Sequence, residues 1–201
     1  MNRQLQGLPM FPLNILPFPG EQAALHIFEP RYRELLSDIE ASGGLFAIPF
    51  PESKGKMSYC SVVSLVTVSK RHPGGESDIV IVGEFIGKVT HFEDPAPSKL
   101  YAVGDVELAD GFAETEASTL VRKELEELRQ VIGPKADVLL GNQYRLLHVI
   151  VSSLGLAPEQ KLSFLKLQSE VARQQYVSNL LRFTRLIVSQ EKKIENGVFP
   201  N

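Results

Sequence analysis

The order of apolar and polar positions divides the chain into two regions of different periodicity. Up to residue 112, apolar runs are short and are separated by turns that contain Pro or Gly. Short apolar runs between such turns are typical of a β-rich structure. Strands are predicted over residues 22–27, 45–50, 59–68, 78–86, 87–92 and 101–108. One helix is predicted among them, over residues 30–42, with Pro30 at the first helical position, where a missing N–H costs nothing.

After residue 112 the apolar residues recur at steps of three and four, which is the spacing of one helix face. Helices are predicted over residues 120–132, 137–153, 158–167 and 169–193. The fold class is therefore α+β. A β-rich subdomain over residues 1–112, with a half-closed barrel and one helix, is followed by an all-helical subdomain over residues 113–201.

Composition and charge narrow the function classes. The chain has 201 residues, 43% of them hydrophobic, and a formal net charge of −3. The first region holds nine basic and 14 acidic residues, and the second holds 12 and 10. Neither half has the basic balance of a surface that binds nucleic acid or an anionic membrane.

The chain has no apolar run long enough to cross a bilayer, and Pro9, Pro12, Pro17 and Pro19 interrupt any secretion-signal pattern. Its single cysteine, Cys60, allows no internal disulfide. Together these features predict a cytoplasmic protein that touches no membrane.

A search for catalytic, metal or cofactor residues predicts none. Residues 83–90 resemble a phosphate-binding loop but have the wrong spacing and lie between strands. The pair Lys161 and Ser163 is typical of a solvated helix face, and Cys60 in a valine-rich run is typical of an inert core thiol. The four histidines are scattered along the sequence without the spacing of a metal motif.

One group of residues is a candidate for protein binding. Its four apolar members border the polar segment 51–56, which contains two lysines and a glycine. A polar loop between apolar strand ends can border a groove for an extended peptide. The alternative is that these are core residues at strand ends. The group consists of Phe46, Phe50, Met57 and Tyr59.

Three blocks in the N-terminal part carry a family resemblance. Residues 8–13 read Leu-Pro-Met-Phe-Pro-Leu, residues 18–20 read Phe-Pro-Gly, and residues 27–32 read Ile-Phe-Glu-Pro-Arg-Tyr. In this order they resemble the N-terminal substrate-recognition domain of the ATP-dependent Lon protease family. Residues 156–161, before a leucine-rich helix, are similar to a later element of that domain. The resemblance implies a PUA-like β-subdomain followed by a helical one.

The resemblance further implies a non-catalytic module that recognises protein substrates or partners, including unfolded segments, with a possible adaptor role in proteolysis. The chain lacks room for the ATPase and serine–lysine peptidase modules of a Lon protease. Two other classes stay open. An RNA-binding PUA-like module predicts a basic face, which the charge balance opposes, and an unrecognised enzyme predicts a deep cleft with convergent polar groups.

Overall fold

The computed structural model describes residues 3–109, 111–133 and 145–195. Its residues cluster into two units, Met1–Ala113 and Glu114–Asn201. The first unit contains a mixed sheet and one long helix, and the second contains helices. The α+β class is therefore confirmed, whereas the division into subdomains over residues 1–112 and 113–201 stays a prediction.

The sheet of the first unit has six strands in the order β2-β5-β4-β3-β1-β6. All neighbours pair antiparallel except β1 and β3, which are parallel and share the single register pair Met10 and Ala47. The C-terminal part of β5 also pairs with β6, so the sheet curls back on itself. The strands are β1 (Gln4–Met10), β2 (Gln22–Ile27), β3 (Phe46–Pro49), β4 (Tyr59–Arg71), β5 (Ser77–Glu93) and β6 (Ala102–Leu108).

The prediction of two strands over residues 78–86 and 87–92 is wrong, because β5 runs unbroken from Ser77 to Glu93. Two glycines in the middle of β5 permit close approach of neighbouring groups. A Cβ atom at Gly83 would lie 2.3 Å from the Phe18 carbonyl oxygen, and one at Gly87 would lie 2.3 Å from Val106 Cγ1. The apolar run over residues 59–68 predicts a strand buried on both faces, but only the first half of β4 is buried, and the strand is largely exposed beyond Leu65.

Helix α1 (Pro30–Ser42) begins and ends where the sequence predicts. It ends at Gly43, whose φ of 63° favours glycine and whose N–H donates to the Ile39 carbonyl. Its apolar side packs on one face of the sheet, and the Tyr32 ring lies 3.8 Å from the Phe11 ring. A second apolar cluster lines the other face of the sheet around Met10, Cys60 and Val62.

The second unit contains α2 (Thr119–Ile132), α3 (Leu147–Ser153), α4 (Pro158–Leu165) and α5 (Glu170–Glu195). Ser118 caps α2 by accepting the Val121 N–H, at 3.3 Å. A helix is predicted over residues 137–153, but the described helix α3 begins only at Leu147. The prediction is wrong for residues 145 and 146, since Leu146 is extended and forms an isolated bridge with Glu116, and residues 137–144 lie outside the described residues. Helices α2 and α5 pack against each other.

Candidate protein-binding surface

The four residues predicted to bind protein lie on or beside the β3–β4 hairpin, but they differ in exposure. Phe46 and Phe50 are 2% and 4% exposed, whereas Met57 and Tyr59 are half-buried. The Phe50 N–H donates to the Tyr59 carbonyl at 3.0 Å, and Phe46 packs in the core beneath α1. The hairpin therefore brings Phe50 and Tyr59 together, while Met57 and Tyr59 supply the accessible surface. Binding by this group stays a prediction.

The loop between these strands is organised by Glu52. The Glu52 N–H donates to the Lys56 carbonyl at 2.7 Å, and the Ser58 N–H donates to Glu52 Oε1 at 3.1 Å. The Gly55 N–H donates to the Glu52 carbonyl, closing a single 3₁₀ turn over Ser53–Gly55. These bonds fix the chain path that positions Met57 beside Tyr59.

A second apolar surface lies on the last described helix, α5. It consists of four large apolar side chains that are between 40% and 65% exposed. At about 100° of rotation per residue, positions 183, 186, 187 and 194 fall within an arc of about 100°. We call this set the apolar stripe; its members are Phe183, Leu186, Ile187 and Ile194.

The face of α5 opposite the apolar stripe is the one that packs against α2. Val177 and Leu181 are fully buried there. The Lys192 ammonium donates to the Ile132 carbonyl at 3.2 Å. Helix α5 therefore has apolar residues on two opposite sides, and among the described helices of the second unit α2 covers only one of them. An amphipathic helix with a single buried face would carry polar residues at the positions of the stripe.

A buried ion-pair cluster fixes the rotation of α5 against α2. The Glu124 side chain on α2 is 6% exposed and accepts a hydrogen bond from Arg182 Nε at 2.6 Å. Arg185 pairs with both Glu124 and Glu127. Because these contacts hold α5 in one orientation, the apolar stripe keeps facing away from α2.

The apolar periodicity of residues 169–193 groups Ile187 with Val177 and Leu181 on one predicted stripe, but the Ile187 side chain is exposed. This periodicity does not single out Phe183, Leu186 or Ile194. The signal that could have found them is the width of the apolar pattern, since Phe183 through Val188 place apolar side chains on both sides of the helix. Periodicity does not reveal which side another element covers.

Two further groups are candidates for chemistry, namely the Cys60 thiol and a cluster of polar side chains. Cys60 is fully buried, and burial raises the pKa of its thiol to about 12, as expected for a core residue. Two histidines that are far apart in sequence, His26 and His72, meet at Asp78. Their hydrogen bonds, first that from His26, lower the pKa of the Asp78 carboxyl. Imidazole and carboxylate groups are common metal ligands.

Among the helices of the described ranges, none combines the length and apolar character needed to cross a membrane. Residues 7–182 match the model of the ATP-dependent protease La (LON) substrate-binding domain. The hairpin residues lie inside that match, and the apolar stripe begins at the residue after it.

Two solved structures have similar folds. One is a Lon N-terminal domain protein from Xanthomonas campestris, with a TM-score of 0.63 and 21% identity over 89% of this chain and 98% of that one. The other is the N-terminal domain of the Mycobacterium avium complex Lon protease, with a TM-score of 0.50 and 13% identity over 91% and 96%. No curated protein matches the chain significantly.

Proposed function

The chain belongs to the ATP-dependent protease La (LON) substrate-binding domain family, and from this premise we propose that it recognises protein substrates or partners through apolar contacts, without catalysis of its own. The family match is the observation that carries the proposal. It extends from residue 7 to residue 182 and so includes most of both units. A role as an adaptor in cytoplasmic protein turnover is part of the same proposal.

The apolar stripe on α5 is the main contact surface in this proposal. Its four side chains expose enough apolar area for a partner to gain binding free energy by covering them. Full burial of one such side chain contributes about 1.5–3 kcal/mol, and these are already partly buried, so each contributes less. The proposed occupant is an apolar segment of an unfolded protein, which can supply side chains at the spacing of a helix face.

The hairpin residues form a secondary contact in the same proposal. Met57 and Tyr59 present half-buried apolar surface beside a hydrogen-bonded loop, and the Phe50 N–H donates to the Tyr59 carbonyl. Phe46 and Phe50 are themselves buried, and Phe46 belongs to the core beneath α1. Truncation of Met57 or Tyr59 is therefore expected to weaken binding, whereas truncation of Phe46 or Phe50 is expected to act through folding.

Fluorescence anisotropy with a labelled, reduced and carboxymethylated protein as the permanently unfolded probe tests the proposal. Wild type is expected to bind, and the double variant Phe183→Ser/Leu186→Ser is expected to bind at least about tenfold more weakly, from two lost apolar contacts. Val171→Ser is the matched control, because Val171 is 79% exposed on the same helix but lies outside the stripe. Circular dichroism before titration establishes that each variant is folded.

Each outcome decides a separate part of the proposal. If wild type fails to bind the probe, unfolded-segment recognition is wrong. Binding that survives in the stripe variant but is lost in Met57→Ser/Tyr59→Ser would move the main contact to the hairpin. Self-association of wild type in sedimentation velocity, abolished by the stripe variant alone, would assign the stripe to a second copy of the chain.

A further inference from the structure

Two histidines and an aspartate converge at one end of the sheet in the first unit. His26 Nδ1 lies 2.6 Å from Asp78 Oδ1, and His72 Nε2 lies 2.8 Å from Asp78 Oδ2. One ligand atom from each of the three side chains lies within 4.8 Å of the other two. The side chains are between 27% and 51% exposed, so a solute ion can reach them.

Strand pairing and a tight turn place the three ligands. His26 on β2 is the register partner of Asp78 on β5, so their side chains emerge on the same face. His72 follows β4 in the turn to β5, where its N–H donates to the Glu76 carbonyl at 2.8 Å. The ligands thus come from three neighbouring segments of one sheet.

The rings around the cluster restrict its side chains further. The His26 ring stacks on the Phe28 ring with centroids 6.0 Å apart. The His72 ring meets the His26 ring edge-on, with centroids 5.5 Å apart. A site whose ligands are held by packing needs little reorganisation to bind an ion. Phe28 itself is 57% exposed, and its contact with His26 gives this surface position a local structural role.

We propose that His26, His72 and Asp78 form a binding site for a divalent transition-metal ion, with Zn²⁺ as the ion that fits best. Two imidazole nitrogens and one carboxylate oxygen, with a fourth position left to water, is a ligand set that Zn²⁺ accepts. At bond lengths of about 2.0–2.2 Å, tetrahedral ligand atoms lie about 3.3–3.6 Å apart. The two His–Asp contacts must therefore open by less than about 1 Å, which small side-chain rotations supply.

The neighbouring guanidinium groups leave the Asp78 carboxylate available to a cation. Arg33 pairs with Glu76 at 3.4 Å, and Arg71 pairs with Glu40 at 2.5 Å. These guanidinium groups are therefore balanced by carboxylates other than Asp78. The Asp78 side chain contacts the two histidines, and a bound metal would replace their shared hydrogen bonds.

Untagged, chelator-treated protein titrated with ZnCl₂ by isothermal calorimetry tests the site, with Co²⁺ absorption as the readout of coordination. One equivalent of Zn²⁺ is expected to bind and to raise the Tm, and Co²⁺ is expected to give the visible bands of a four-coordinate nitrogen and oxygen site. Asp78→Asn and His72→Ala are each expected to weaken binding by about tenfold or more. His91→Ala is the matched control, because His91 is an exposed histidine on β5, the strand that also carries Asp78.

Absence of a one-to-one heat in wild type would overturn the proposal. It would also be overturned if binding persisted in both ligand variants or was lost in His91→Ala. Because Asp78→Asn alone could disturb β5, the ligand assignment rests on agreement between the two variants, each checked for a wild-type dichroism spectrum. The test uses no protein partner, so it is decided independently of the proposed function.

Discussion

The two units of this molecule place their surface side chains by different means. In the first unit, pairing between distant strands sets which residues meet, and polar groups at the sheet ends bind one another, as His26 and Asp78 do across 52 residues. In the second unit, helical periodicity distributes apolar residues around α5, and packing against α2 covers only one side of it. Strand register therefore produces a defined polar cluster in the first unit. In the second unit, the incomplete coverage of α5 by α2 produces an apolar surface.

This difference explains why the two units suggest different ligands. An ion needs ligand atoms fixed to within a fraction of an ångström, which paired strands provide. An unfolded protein segment needs apolar area and tolerates variation in sequence, which an exposed helix face provides. Each of the following substitutions tests whether the two units differ in this way.

The largest effect is expected from the core of the first unit. Phe46→Ala removes a side chain packed between α1 and the sheet, and we expect it to lower the free energy of unfolding by about 3–5 kcal/mol. Leu186→Ala, on the apolar stripe, is expected to change it by less than about 0.5 kcal/mol. Urea denaturation followed by circular dichroism measures both. Similar costs for the two variants would contradict the assignment of Leu186 to an uncovered surface.

The same measurement tests independent folding of the two units. If they fold separately, Phe46→Ala shifts one unfolding transition, and Leu181→Ala in the second unit shifts another. Leu181 is fully buried, so its truncation is expected to cost about 2–5 kcal/mol. A single transition that moves with both variants would show that the units unfold together.

A smaller effect is expected from the ion-pair cluster that orients α5. Glu124→Ala removes the carboxylate shared by Arg182 and Arg185, and we expect a loss of about 1–3 kcal/mol. The cost stays below that of a fully buried pair because both arginines reach solvent. Glu126→Ala, two residues along and exposed, is the matched control. Equal thermal stability of the two variants would show that the cluster does not stabilise the packing of α5.

Removal of one side-chain hydrogen bond in the first unit, by Tyr101→Phe, is expected to lower the free energy of unfolding by about 1 kcal/mol. The Tyr101 hydroxyl donates to Asp38 at 2.5 Å, and burial followed by this bond raises the pKa of Tyr101 to about 12. Because the folded pKa lies above the unfolded value of about 10, the stabilisation is present below pH 10 and is lost as the pH rises toward 12. The stability gap between wild type and Tyr101→Phe should close over that range. A stability difference that does not change with pH would contradict its assignment to the Tyr101–Asp38 hydrogen bond.

Local patterns in the sequence predict those parts of the fold that local forces determine. The bounds of β2 and α1 follow from an apolar strand run and from Pro30 and Gly43 at the helix ends. The continuity of β5 does not follow, because Gly83 and Gly87 are needed by neighbours distant in sequence. For the same reason, neither the meeting of His26 with Asp78 nor the uncovered side of α5 is visible in a local pattern. Both depend on which elements pack together.

The smallest effect is expected from a lysine beside the proposed metal site. Lys70 on β4 is the register partner of Asp78, so its positive charge opposes a bound cation. Lys70→Gln is expected to tighten Zn²⁺ binding by about two- to fivefold at low ionic strength, the size of a weak surface interaction. Lys88→Gln, an exposed lysine farther along β5, should leave the affinity unchanged. High salt should remove the difference, since it screens exposed charges. A salt-independent gain would instead indicate that Lys70 restricts the Asp78 side chain, so the register would act on the site through packing rather than charge.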